Sequence, residues 1–184
     1  MELLIRKYSE SDMIPLWRLL AAQTHTVFSA YPRQTLQDCR SLLHRQSLCL
    51  VAQAEGRAAG VLLLRAVGEG GWQRFAAAEL AVAEPWQKQG IGKALMTEAK
   101  RQAAALRFAG ILTAPMPPEE AAFAFFSAEG FVPVGMLPGV PQQMLFWECP
   151  KRGKKTRRCG KNRPGDPSGA GQPQGGSHVL HSKA

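Results

Sequence analysis

The stretch from Leu80 to Leu95, LAVAEPWQKQGIGKAL, constrains this chain more than any other. It reads as a strand, a sharp glycine turn and the opening of a helix. Gly90 and Gly92, one residue apart, let the backbone approach a ligand and take φ values that other residues resist. The N–H groups of a first helical turn have no partner within the helix and point outward, so an anion can sit there. Lys88 and Lys93 add positive charge. The simplest reading is a cradle for a phosphorylated ligand. Two phosphate motifs are excluded by spacing. A Walker loop needs a glycine where Gln87 stands and a Ser or Thr where Ala94 stands, and a dinucleotide fingerprint needs a small residue where Leu95 stands.

The remaining pattern is Gln87-x-x-Gly90-x-Gly92, preceded by Leu80-x-Val82 and Pro85. It resembles the coenzyme A pyrophosphate loop of the GNAT superfamily of N-acetyltransferases. A second string, Ala122-x-x-Phe125-Phe126-x-x-x-Gly130-Phe131, is similar to the same family. The resemblance covers roughly residues 3–149. It implies an α/β fold with a mixed, partly splayed sheet in the order β-α-α-β-β-β-α-β-α-β-β, which holds a pantetheine arm between two strands. It also implies acetyl-CoA as co-substrate and the primary amine of a small molecule or protein as acceptor, with the acceptor's identity left open.

Acetyl transfer to an amine needs a base to free the nitrogen's lone pair, N–H donors for the thioester oxygen, and close placement of the two partners. By resemblance, the backbone of Leu80, Ala81 and Val82 pairs with pantetheine amides, and the Val82 N–H is a candidate donor to the thioester oxygen. Gln87, Lys88, Gln89, Gly90, Ile91, Gly92 and Lys93 hold the pyrophosphate. Phe126 lies beside the coenzyme. His25 and Tyr31 fall in the region that forms one wall of the acceptor cleft, and either facing the acceptor or packing elsewhere suits them. Two departures bear on mechanism. Glu119 stands where many members have Asn, and Phe126 stands where many have a Tyr that serves as general acid. Ala76 and Ala114 occupy strand positions where some relatives place a catalytic Glu. Glu79 is then the leading candidate base, with Glu120 second. The competing reading is a non-catalytic acyl-CoA-binding sensor or regulatory partner with the same fold.

The rest of the chain supplies the elements. Leu3 to Tyr8 suits a first strand. Ser9 with Asp12 suits a helix start, with a helix to about Ala22 and Pro15 in its first turn. Its buried face would be Met13, Leu16, Trp17, Leu19 and Leu20. A second helix is expected over 35–46, burying Leu36, Cys39, Leu42 and Leu43. The runs 47–54 and 59–67, joined by Glu55-Gly56-Arg57, read as a hairpin. Val61 to Leu64 is apolar on both faces and so belongs in mid-sheet. A strand over 74–83 leads into the cradle. The following helix is expected to end at Gly110, before a strand over 111–114. Pro118 suits the first turn of a helix carrying Ala121, Ala122, Phe125 and Phe126, which Gly130 stops. Strands beginning at Phe131 and spanning 142–148 complete the sheet.

Charge divides the chain in two. The formal net charge is +9, yet nine of the 23 Lys and Arg fall from Lys151 onward beside a single acid, Asp166. Residues 1–150 are therefore close to neutral and read as the folded domain. Residues 151–184 are basic and rich in Gly, Pro and Ser, and are expected to be disordered. Such a cluster can make weak phosphate contacts with nucleic acid, though it lacks interleaved aromatics for base stacking. Cys39, Cys49, Cys149 and Cys159 show no metal or redox spacing and read as free thiols in a reducing compartment. The early charges at Glu2, Arg6 and Lys7 do not suit a signal peptide. No apolar run reaches the roughly 20 residues that span a bilayer. The expectation is a cytoplasmic protein with no metal and no membrane partner, whose oligomeric state the sequence leaves open.

Overall fold

The structure is a computed structural model that describes residues 2–22, 35–67, 75–114, 120–136 and 143–150. Seven strands form one sheet: β1 (Leu3–Lys7), β2 (Leu48–Ala54), β3 (Arg57–Val67), β4 (Phe75–Val82), β5 (Gly110–Thr113), β6 (Val132–Met136) and β7 (Gln143–Glu148). The helices are α1 (Met13–Ala22), α2 (Leu36–His44), α3 (Ile91–Ala105) and α4 (Glu120–Ala128). Their succession is the expected β-α-α-β-β-β-α-β-α-β-β. The strands lie in the order β1-β2-β3-β4-β5-β7-β6. All neighbours are antiparallel except β4 and β5, which are parallel and joined through α3.

Two apolar layers sandwich the sheet. On one face α3 lays Ile91, Leu95, Met96, Ala99 and Ala103 on Leu50, Leu62, Leu64, Ala76 and Ala78. On the other, α1 and α2 bring Met13, Leu16, Leu20, Cys39 and Leu43 against Val51, Val61, Leu63 and Ala81. This explains why Val61 to Leu64 carries no polar residue: all four are buried, two on each face. Gly60 sets how closely α3 lies on the sheet, since a Cβ there would come within 3.0 Å of the Ala81 carbonyl oxygen and 3.1 Å of Leu95. The β2–β3 turn is tighter than expected. Glu55 and Gly56 alone form it, at φ 49° and 75°, and Arg57 already belongs to β3. Two left-handed turn residues match the twist of an antiparallel pair.

Polar contacts fix where helices begin. The Asp12 carboxylate accepts from the Ser9 N–H at 2.9 Å and closes a short 3-10 turn that leads into α1. The same carboxylate takes two bonds from the Arg6 guanidinium, at 2.6 and 2.7 Å. Thr35 caps α2 by accepting from the Asp38 N–H at 3.1 Å while Asp38 accepts from the Thr35 N–H. Leu36, expected on the buried face of α2, is 40% exposed. It occupies the first position of the helix, before the amphipathic stripe settles onto the sheet.

The Asp12–Arg6 pair gives a pH prediction. The Arg6 bond holds the Asp12 carboxyl below its ordinary 3.8, opposed by burial and helped by Ser9. A depressed carboxylate contributes stability that is whole above the ordinary value and lost as pH falls through the folded value. Asp12 is 5% exposed, so Asp12→Asn should cost about 2 kcal/mol at pH 7, below a fully buried pair because Arg6 keeps some solvent. Urea melts should show that deficit at pH 7 and show it shrinking below pH 4. A deficit unchanged at low pH would mean that the pair's charge is not its source.

The ends of α3 and α4 follow one rule with different residues. At α4, Gly130 has φ 80°, its N–H bonds the Ser127 carbonyl, and the Phe131 N–H bonds the Phe126 carbonyl at 3.0 Å. The Phe126 and Phe131 rings meet edge-on at 5.3 Å across that turn, as a Schellman ending requires. At α3 the same two bonds run from Arg107 to Ala104 and from Phe108 to Ala103, and Arg107 holds the left-handed position at φ 65°. The helix thus stops at Ala105, and Gly110, expected as its terminator, is instead the first residue of β5. Gly110 is there for space. A Cβ would overlap the Phe146 ring and stand 2.5 Å from the Trp147 carbonyl oxygen. Gly110→Ala should therefore cost about 3 kcal/mol, the upper range for overpacking. Adding Phe146→Ala should not restore the lost stability in denaturant titrations, because the backbone oxygen remains.

Candidate acyl-carrier site

β4 pairs with β5 only at Phe75, Ala76 and Ala77, opposite Gly110, Ile111 and Leu112. Beyond that point β5 ends at Thr113 while β4 runs on, so among the described residues no strand pairs with the open edge from Ala78 to Val82. Antiparallel pairing alternates which edge each residue's backbone serves. The Ala83 N–H bonds the Ala59 carbonyl at 2.9 Å, and Ala81 stands opposite Val61 in the same register. Ala83, Ala81 and Glu79 therefore turn their backbone groups toward β3. Leu80 and Val82 turn theirs toward the open edge.

The chain leaves β4 through a 3-10 turn at Glu84–Trp86 and reaches α3 through Gln87 to Gly90. The Gln87 side-chain amide donates to the Val82 carbonyl at 3.0 Å, and that of Gln89 donates to the Pro85 carbonyl at 2.8 Å. These bonds fold the loop back on itself. Lys88 and Gly90 both have left-handed backbone, at φ 59° and 83°, so the chain turns sharply enough for α3 to begin at Ile91. Ala94 is the first residue to reach back, bonding the Gly90 carbonyl at 3.0 Å. The N–H groups of Ile91, Gly92 and Lys93 precede it and have no carbonyl one turn back within α3.

An open cleft of about 630 Å³ adjoins this helix start. Of the residues expected to hold a coenzyme, Leu80, Val82, Gln87, Lys88, Gly90, Gly92, Lys93 and Phe126 line it. Ala81, Gln89 and Ile91 do not. Ala81 is buried on the α1–α2 face, Ile91 is buried under α3, and Gln89 is engaged in the loop's own bond. The cleft also takes in Trp86, Ala121, Ala122 and Phe125. In the sequence Trp86 is only an aromatic between Pro85 and Gln87 and Ala121 only part of the apolar face of a helix, while Ala122 and Phe125 belong to the second family-like string. Phe126 is 7% exposed and meets Phe125 edge-on at 5.2 Å. The cleft is thus cationic and N–H-rich at one end and apolar at the other.

Glu79 sits differently. Side chains alternate along a strand, so it shares the α1–α2 face with Ala81, opposite to Leu80 and Val82. Its Oε2 is buried, and it lies beyond the last β4–β5 pair, at Ala77. Ala76 and Ala114 are buried, Ala76 within the apolar layer under α3. His25, Tyr31 and Glu119 lie outside the described residues, as does the whole segment 151–184. Glu120 is the first residue of α4. Burial pushes the Cys49 thiol up to about 12, with Asp12 and Cys39 adding to the effect, and raises Cys149 as well. Neither suits a thiolate nucleophile. Among the described residues no His, Cys, Asp and Glu cluster is placed to hold a metal ion, and no helix is long and apolar enough to cross a membrane.

A mixed sheet with an open strand edge beside a cationic helix start can receive an extended ligand with an anionic end. Residues 45–133 match the family model for the acetyltransferase (GNAT) domain. This stretch of the chain is similar to that family. Among solved structures, an N-acetyltransferase from Staphylococcus aureus Mu50 superposes with a TM-score of 0.72 at 13% identity, covering 82% of this chain and 100% of that one. A GCN5-related N-acetyltransferase from Kribbella flavida gives 0.66 at 22% identity over 79% and 97% of the two chains. The PaiA N-acetyltransferase from Thermoplasma acidophilum, solved in complex with coenzyme A, gives 0.64 at 18% identity over 80% and 99%. At these identities the likeness is one of fold. No curated protein is similar enough in sequence to match.

Proposed function

We propose that this domain transfers an acetyl group from acetyl-CoA to a primary amine. The observation that carries this reading is the edge of β4 that runs on past its last pair with β5, directly beside the glycine-turned start of α3. It sets an open strand edge and an anion-binding helix end along one cleft. The donor set fits a coenzyme with a phosphorylated end and an amide-bearing arm. N–H groups of Gly92 and Lys93, with the Lys88 and Lys93 ammonium groups, would hold the pyrophosphate. The Leu80–Val82 edge would pair with the pantetheine amides as a strand pairs with an added strand. Trp86, Phe125 and Phe126 would exclude water from the arm. Bound acetyl-CoA supplies the activated thioester.

The acceptor would approach this edge from the α1–α2 face, where Glu79 stands. Glu79 would take the proton of the incoming ammonium and leave the nitrogen's lone pair free for attack. A Val82 N–H directed to the open edge would stabilise charge growing on the thioester oxygen. Phe126 has no proton to give, and the thiolate, whose conjugate acid titrates near about 8.5, leaves without it. Residues 1–150 would form the catalytic domain and 151–184 a separate basic extension. The test is calorimetric titration of acetyl-CoA into the full chain, followed by CoA release with a panel of amines. Micromolar binding with amine-dependent release is expected. Binding without release across broad amine classes would favour the sensor, and no binding would remove both readings.

A further inference from the structure

A second cavity, of about 490 Å³, lies on the opposite side of the sheet from the cleft, between the start of α1 and the β2–β3 hairpin. Three guanidinium-bearing residues from three elements line it: Arg6 of β1, Arg18 of α1 and Arg57 of β3. Asp12 is the one acid in the lining, and its carboxylate is already taken by Arg6 and the Ser9 N–H. Neither Arg18 nor Arg57 makes an ion pair with a described residue. The cavity therefore carries an excess of about two positive charges, while the domain around it is near neutral. Ser11 and Gln53 add a hydroxyl and an amide to the same lining.

Like charges brought to one concavity repel unless an anion joins them. Guanidinium groups are rigid planar forks that match the two oxygens of a carboxylate or phosphate. Arg6, held by its bidentate bond to Asp12, keeps the wall of the cavity fixed, and Arg18 and Arg57 are the groups left to bind. We propose that this cavity binds a small oxyanion-bearing molecule, with a carboxylate or phosphate group held between Arg18 and Arg57. The site differs from the coenzyme cleft in residues, in face of the sheet and in a mostly polar lining, to which Pro15 and Ala58 add the apolar part.

The test uses citrate and inorganic phosphate as probes, titrated calorimetrically into the full chain against sodium chloride of matched ionic strength. Three proteins are compared: wild type, the double variant Arg18→Ala/Arg57→Ala, and Gly92→Glu. Both arginines are exposed, so the double variant should melt as wild type does in probe-free buffer. Saturable binding of at least one probe is expected, at least ten-fold weaker in the double variant and retained in Gly92→Glu. Tighter citrate binding would assign a carboxylate ligand, and tighter phosphate binding a phosphorylated one. The proposal is overturned if neither probe binds saturably, if the double variant binds as wild type does, or if Gly92→Glu alone abolishes binding.

Discussion

Gly92→Glu should bind acetyl-CoA at least about a thousand-fold more weakly than wild type, because like charges set against each other in a site cost several kcal/mol. The fold should survive the change. Gly92 is a helical residue without positive φ, and a Cβ there meets the Leu80 side chain and the Phe125 ring at 3.5 Å, an ordinary contact. A carboxylate in the first turn of α3 is itself favourable for the helix. What it removes is the place for another anion. It fills the helix end and competes for Lys88 and Lys93. Calorimetry on a variant with wild-type melting behaviour gives the answer. Binding retained within ten-fold would move the coenzyme out of this cleft.

Glu79→Gln should lower kcat/KM by about a hundred-fold or more, the usual worth of a general base, while leaving acetyl-CoA affinity unchanged. The two readouts separate because Glu79 lies on the face opposite to the cleft lining, so its loss touches the acceptor side only. The substitution is nearly isosteric and keeps the strand. Wild type and variant should differ in their pH–rate profiles, since only wild type carries a carboxylate at this position. At pH above about 10 the acceptor amine is neutral without help, and the variant's deficit should narrow. A variant with the wild-type pH–rate profile would assign the base elsewhere.

Much of this site was legible before any coordinates, for local reasons. The order strand, proline, glutamine, two glycines, helix is fixed by what the backbone must do at a tight turn. Gly90 adopts the left-handed conformation such a turn demands. The helix start at Ser9 and the stop at Gly130 follow from short-range hydrogen bonding in the same way. Where a rule had two solutions, the sequence misled. Gly110 looked like a helix stop because glycine commonly is one, yet Arg107 bears the strain and Gly110 makes room for Phe146 and Trp147. Leu36 fitted the apolar stripe of α2 but lies at its open end.

The sequence by itself determined the elements, their order and the glycine loop that opens α3, because these rest on interactions within a few residues. Only the tertiary structure decided which groups meet. Strand register turns Leu80 and Val82 to the open edge and Ala81 and Glu79 away from it, and a shift of one residue would exchange them. The gathering of Arg6, Arg18 and Arg57 around one cavity has no signature along the chain, since it depends on three elements packing at one corner of the sheet.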